Sequence, residues 1–149
     1  MSDIQRIRLP EQLATPISHY TDAVRGGDTL WVSGMIATDA AGNLVGEGDV
    51  VAQAEQVFKN IEVVLDAAGA TFADVVKVVV YVRNMDDRAA INPVRQKYFG
   101  ESRPASTLVE VSRLALPGAL LEIDAVAYLG ARGHNTSNAS SPADPGDGA

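Results

Sequence analysis

Arg103–Leu129 reads RPASTLVEVSRLALPGALLEIDAVAYL, and the reading of this stretch decides the fold. It divides into two apolar strands and a loop. Thr107 to Val111 is rich in β-branched and aliphatic residues, the first strand. Pro104 precedes it, where a missing N–H does no harm to a ladder. Pro117-Gly118 is a turn signal, and the second strand runs from about Leu120 to Leu129. Glu122 and Asp124 stand two apart in that second strand and so share a face. Carboxylates are rarely buried without a partner. Either that face is wet and both acids are solvated, or Glu122 has a chemical task.

Outward from this stretch, the chain has 149 residues, 46% hydrophobic and 21% charged, the make-up of one globular domain with a sizeable core. It has no cysteine, which excludes a disulfide framework, a cysteine nucleophile and a thiolate metal site. The two histidines, His19 and His134, are too far apart to form a metal-ligand motif. The net charge of −7 with no basic block argues against nucleic acid as a partner, because such binding rests on phosphate neutralisation. No apolar run reaches the length of a membrane span. The polar start and the absence of cysteine lead us to expect a cytoplasmic protein with no membrane contact.

In chain order, residues 1 to about 18 read as irregular, broken by Pro10 and Pro16. His19–Val24 and Thr29–Ser33 read as two short strands around a Gly26-Gly27 turn. His19 is expected on the surface. Gly34 marks a place for a bulge or a close backbone approach. From Asp49, apolar residues at Val51, Ala54, Val57, Phe58, Ile61, Leu65 and Ala68 recur at helical spacing. Asp49 is the expected N-cap and Gly69 the stop; Gln53, Gln56, Lys59 and Glu62 form the expected wet face.

Val75–Arg83 is the clearest strand, β-branched almost throughout. Next, Asn92 is expected to cap a helix with Pro93 at its first position, after a short helical turn at 87–91. Residues 131–149 have almost no apolar side chains, which predicts a disordered tail behind a domain of residues 1–130.

The expected order is β-β-α-β-α-β-β, an α+β fold with two helices on one face of a mixed sheet. Strands as apolar as Val75–Val82 call for a cover on the other face, which self-association would supply.

The chain resembles the Rid family, the RidA/YjgF-like reactive-intermediate deaminases. The pieces are Tyr20–Val24, Leu30–Gly34, Ala67-Ala-Gly69, Val78–Val82, Asn92, Tyr98-Phe99, Arg103-Pro-Ala105, Val109-Glu-Val111 and Glu122–Ala127. The resemblance implies a chorismate-mutase-like fold, a homotrimer and clefts at subunit interfaces. It implies hydrolysis of small enamine or imine metabolites to a 2-oxo acid and ammonia, with no cofactor. Glu122 matches the glutamate that positions water; Tyr20, Ser33 and Asn92 match residues lining the cleft. Where the family's deaminases carry a carboxylate-binding arginine, this chain has Ser106, and Leu108 stands where cysteine is frequent. The loop before Glu122 is one residue longer.

These departures resemble an arginine-lacking branch and predict a cleft that prefers ligands other than 2-imino acids, unless Arg95 or Arg103 reaches Ser106. Arg95 lies three residues after Asn92, on one helix face; a solvated arginine is the competing reading. Two other functions stay open, a non-catalytic trimer that binds a small metabolite and an endoribonuclease.

Overall fold

A computed structural model describes residues 4–130; the expected tail at 131–149 lies outside the described residues. Six strands form one sheet: β1 Ile4–Ile7, β2 Ala23–Gly26, β3 Thr29–Met35, β4 Val75–Val82, β5 Ala105–Glu110 and β6 Leu121–Tyr128. Their order across the sheet is β1-β2-β3-β6-β4-β5. All neighbours are antiparallel except β4 and β5. Two helices, α1 Val50–Ala67 and α2 Arg88–Phe99, complete the α+β fold.

The strand at Ile4–Ile7 corrects the reading of residues 1 to 18 as irregular. It has no strong periodicity of its own and is held by pairing Ile4–Ile7 with Ala23–Gly26. The segment from His19 is likewise not strand until Ala23, and His19 is exposed as expected.

Helix α1 forms as its spacing demands. Val57, Phe58, Ile61, Val64 and Leu65 are buried, and the Asp49 carboxylate accepts from the Ala52 N–H, satisfying a free donor of the first turn. Gln53 corrects the expected wet face, for it is fully buried. Its amide donates to the carbonyls of Gly46 and Gly118 at 3.1 and 3.0 Å, and its oxygen accepts from Leu120 N at 2.8 Å. A loop that packs against a helix leaves backbone groups without water, and this one side chain serves three of them.

Asn92 does not cap α2, which starts four residues earlier at Arg88 and carries Pro93 in its interior. The cap lies upstream: the Asn84 side chain accepts from Asp86 N, and Glu110 from Met85 N. A capped 3-10 turn at Met85–Asp87 feeds directly into the helix, so the helix is already under way when the chain reaches Pro93. Glu110, the last residue of β5, is engaged by this turn.

Side chains of β6 alternate without exception: Leu121, Ile123, Ala125 and Ala127 are buried, while Glu122, Asp124, Val126 and Tyr128 are not. The buried set packs with α1 and with the core of Leu30, Val32, Val78 and Val80. The other set lies on an open face with Trp31 and Tyr81, their register partners on β3 and β4. Trp31, Val109 and Tyr128 are exposed there.

Candidate functional site

Glu122 sits on β6, the strand between β3 and β4, where it pairs with Tyr81. Opposite it β3 changes register between Val32 and Met35, and Gly34 falls in that bulge. The Glu122 carboxylate lies directly against Gly34; a Cβ on that residue would collide with Oε1. The close approach expected of Gly34 is therefore to the one acid singled out in the strand. The carboxyl is half-buried. Burial first, and the charge of Asp124 second, push its pKa above the ordinary carboxylate range, because both disfavour the ionised form. Asp124 itself accepts from the Tyr81 hydroxyl at 3.2 Å, and burial raises the tyrosine's pKa with help from that acid.

The Gly34 backbone also lines a cavity with Leu13, Ile17, Tyr20, Asn60 and Leu116. Tyr20 is half-exposed at its rim. The segment carrying Tyr20 is pinned by Asp22, which is buried. The Asp22 carboxylate accepts from Arg8 Nη1 at 2.6 Å and from Leu9 N at 2.8 Å. Ser33 donates its hydroxyl to the Thr21 carbonyl at 2.5 Å, so it ties the Tyr20 segment to β3 and keeps its lone pairs available. On the far wall Asn60 donates to the carbonyls of Ile36 and Thr38, each at 3.0 Å. Tyr20, Ser33, Gly34 and Glu122 thus belong to one region.

Asn92, Ser106 and Leu108 belong to another. Ser106 and Leu108 pair with Val78 and Val80 in the parallel register and share the helix side of the sheet with those buried valines. Glu122 pairs with Tyr81 on the open face. The two groups therefore stand on opposite faces and two strands apart, and one chain does not unite them. At Ser106 the structure supplies a neighbour: Arg95 Nη2 donates to Ser106 Oγ at 2.7 Å. Burial lowers the Arg95 pKa, yet a guanidinium remains charged at neutral pH. Leu108 is half-buried against the core.

Sequence reasoning missed Asp22 and Asn60, both buried and polar. For Asp22 the only signal was an acid at the edge of an apolar strand; its partner, Arg8, is 14 residues away. Asn60 lay hidden beside Ile61 in a helix whose polar positions read as solvated. Among the described residues no group of three histidine or acidic side chains could hold a metal ion, and no helix is long and apolar enough to cross a membrane.

Residues 11–129 match the family model described as Endoribonuclease L-PSP. A RutC family protein of Pyrococcus horikoshii is 41% identical over 125 residues, covering 84% of this chain and 98% of that protein. The 3-aminoacrylate deaminase RutC of Acinetobacter baylyi is 36% identical over 125 residues, with coverage of 84% and 98%. Among solved structures, a Rid-family protein of unknown function from Yersinia pestis superposes with a TM-score of 0.78 at 33% identity, covering 84% of this chain and 98% of that one. A sheet of this order, a glutamate on its central strand and a match along nearly the whole described chain lead to one conclusion: the chain belongs to the Rid family, the RidA/YjgF-like proteins.

Proposed function

We propose that this protein hydrolyses the C=N bond of a small imine, or of an enamine after tautomerisation, with Glu122 acting on water. The observation that carries this reading is the Glu122 carboxylate, half-buried against Gly34, the residue whose backbone lines the cavity beside Tyr20. A carboxylate in its ionised form takes a proton from water as the oxygen attacks the imine carbon. The C=N pair moves to nitrogen, giving a carbinolamine. Glu122 returns its proton to that nitrogen to complete the neutral carbinolamine, then takes the hydroxyl proton and delivers it to the same nitrogen, so that ammonia leaves as the carbonyl forms. A pKa raised by burial suits a group that must both accept and return a proton. The balance is imine plus water to carbonyl plus ammonia, and no cofactor enters it. The similarity to a protein named as a 3-aminoacrylate deaminase supports the same class of chemistry.

The complete cleft, in this reading, lies between subunits of a homotrimer. Glu122, Ser33 and Tyr20 of one copy face Asn92, Ser106 and Leu108 of the next, because a single chain holds the two groups on opposite faces of its sheet. The exposed Trp31, Val109 and Tyr128, all on the open face, support burial against other copies, since large apolar side chains gathered on one exposed face mark contact sites. Ser106 at the position of the family's arginine supports assignment to an arginine-lacking branch. The test is ammonia release from an imine generated in the assay and corrected for spontaneous hydrolysis. Glu122→Gln should lower the rate by about 10²-fold or more; an unchanged rate removes Glu122 from the chemistry.

A further inference from the structure

We propose that Arg95, seated on Ser106, forms a binding site for a small ligand's carboxylate, so that the cation absent from strand β5 is supplied by helix α2. Two half-buried arginines allow a direct comparison. Arg8 has the Asp22 carboxylate at 2.6 Å. Among the described residues Arg95 has the Ser106 hydroxyl as its one side-chain partner, and no carboxylate there forms an ion pair with it. A partly desolvated cation held on a neutral partner has lost hydration that no acid of the protein replaces.

The chemistry around it consists of donors. The bond to Ser106 occupies one N–H of a guanidinium that has five in a planar fork. The Ser106 oxygen accepts that bond, which leaves its own proton free to donate. Asn92, one turn earlier on α2, brings an amide with no hydrogen-bond partner among the described residues. A fork, a hydroxyl and an amide fit a planar monoanion with several acceptor sites, and a carboxylate accepts such a fork through two parallel bonds. Burial lowers the arginine's pKa without discharging it. The 2-imino acids that Ser106 would exclude on its own are then accepted, carboxylate toward Arg95. The part of this that concerns turnover rests on the hydrolysis proposed above; the binding site can be measured without it.

Calorimetric titration of the full-length protein with 2-oxobutanoate and with its neutral amide tests the site. The acid should bind at least about 30-fold more tightly than the amide. Arg95→Gln should bring the acid down to the amide's level and leave the amide unchanged. Arg95→Lys should retain part of the preference, because the charge persists without the fork. Ser106→Ala should weaken the acid by about 5-fold, and Arg103→Gln should change neither ligand. Equal affinities for acid and amide, no binding of the acid, or a preference untouched by Arg95→Gln overturns the site. The acid–amide contrast on the natural chain needs no variant to fold. If Arg95→Gln abolishes acid preference while Glu122→Gln leaves turnover intact, the hydrolysis reading fails and the site stands. The opposite pattern removes the site and leaves hydrolysis in place.

Discussion

The carboxylate of Glu122 rests on the bare α-carbon of Gly34, where β3 bulges and no side chain can stand between them. The bulge admits the acid, and the acid fills what the bulge opens. Gly34→Ala forces either the β3 backbone or the carboxylate to move. Overpacking of this kind costs about 1–3 kcal/mol, so the melting temperature should fall by several degrees. Turnover should fall with it, because displacing a reacting group by a fraction of its reach is expensive in rate. A Gly34→Ala protein with unchanged melting and unchanged turnover would show that the two residues do not constrain each other.

A second prediction concerns pH. The folded-state pKa of Glu122 is raised, first by burial and then by Asp124. Relative to the unfolded chain, the native state therefore holds the proton more firmly. Stability from this group is fully present below the ordinary glutamate value of 4.5 and is lost as pH rises through the raised value. Glu122→Gln, which cannot ionise, should gain stability over the natural chain at neutral pH and lose that advantage below the ordinary value. Asp124→Asn removes the second cause, so the acidic limb of the pH–rate profile should move to lower pH. Denaturant melts and rate profiles across the acidic range read both effects; a limb that does not move upon Asp124→Asn assigns it to another group.

How far the sequence led can be judged residue by residue. Local chemistry was legible: Asp49 caps α1, Glu122 and Asp124 share a face, and Gly34 marks a close approach. Each of these follows from spacing or from the properties of one side chain. Gln53 was misread because helical periodicity registers polarity and not the unpaired carbonyls of a loop 65 residues away. Asn92 was misread because Pro93 suggested a helix start, while the true start was fixed by Asn84 and by Glu110 from a distant strand. The pairing of Arg95 with Ser106 joins a helix face to an edge strand, which neither segment reveals alone. Strand β1 owes its existence to its partner.

The amide of Gln53 gives a third prediction. Gln53→Leu keeps the volume and removes bonds to Gly46, Gly118 and Leu120. Buried backbone groups left unpaired cost about 1–3 kcal/mol each, so the loss should rank with the largest single-site effects in the chain. The loop leads directly into β6, so Glu122 should also lose its alignment and turnover should drop. A thermal melt indistinguishable from the natural protein's would mean that water replaces all three bonds.

Assembly is tested on the open face. Light scattering should give about three times 15.7 kDa for the natural chain. Trp31 lies exposed on that face, its ring over Gly26. Trp31→Glu places a charge where apolar surface would be buried and should shift the population to monomer at micromolar concentration. Turnover should disappear with the assembly, since the proposed cleft takes groups from two copies. A natural chain that stays monomeric, or a monomeric variant that keeps full turnover, would separate the site from assembly.

The last prediction exchanges the positions of the cation. Ser106→Arg in the natural background sets a second guanidinium beside Arg95, which sits 2.7 Å from the hydroxyl being replaced. Two like charges this close repel, so this variant should bind a carboxylate no better than the natural chain and should melt earlier. In the Arg95→Gln background the space is free. There Ser106→Arg should restore acid binding, and with it hydrolysis of a 2-imino acid, toward the natural level. The recovery should vanish once Glu122→Gln is added, because a clamp orients a substrate but supplies no water. Non-additivity is the signature sought: harmful or neutral alone, restorative in the pair. If the double variant folds and binds the acid as weakly as Arg95→Gln alone, Leu108 and the lengthened loop before Glu122 have reshaped the cleft so that only a guanidinium from α2 fits it.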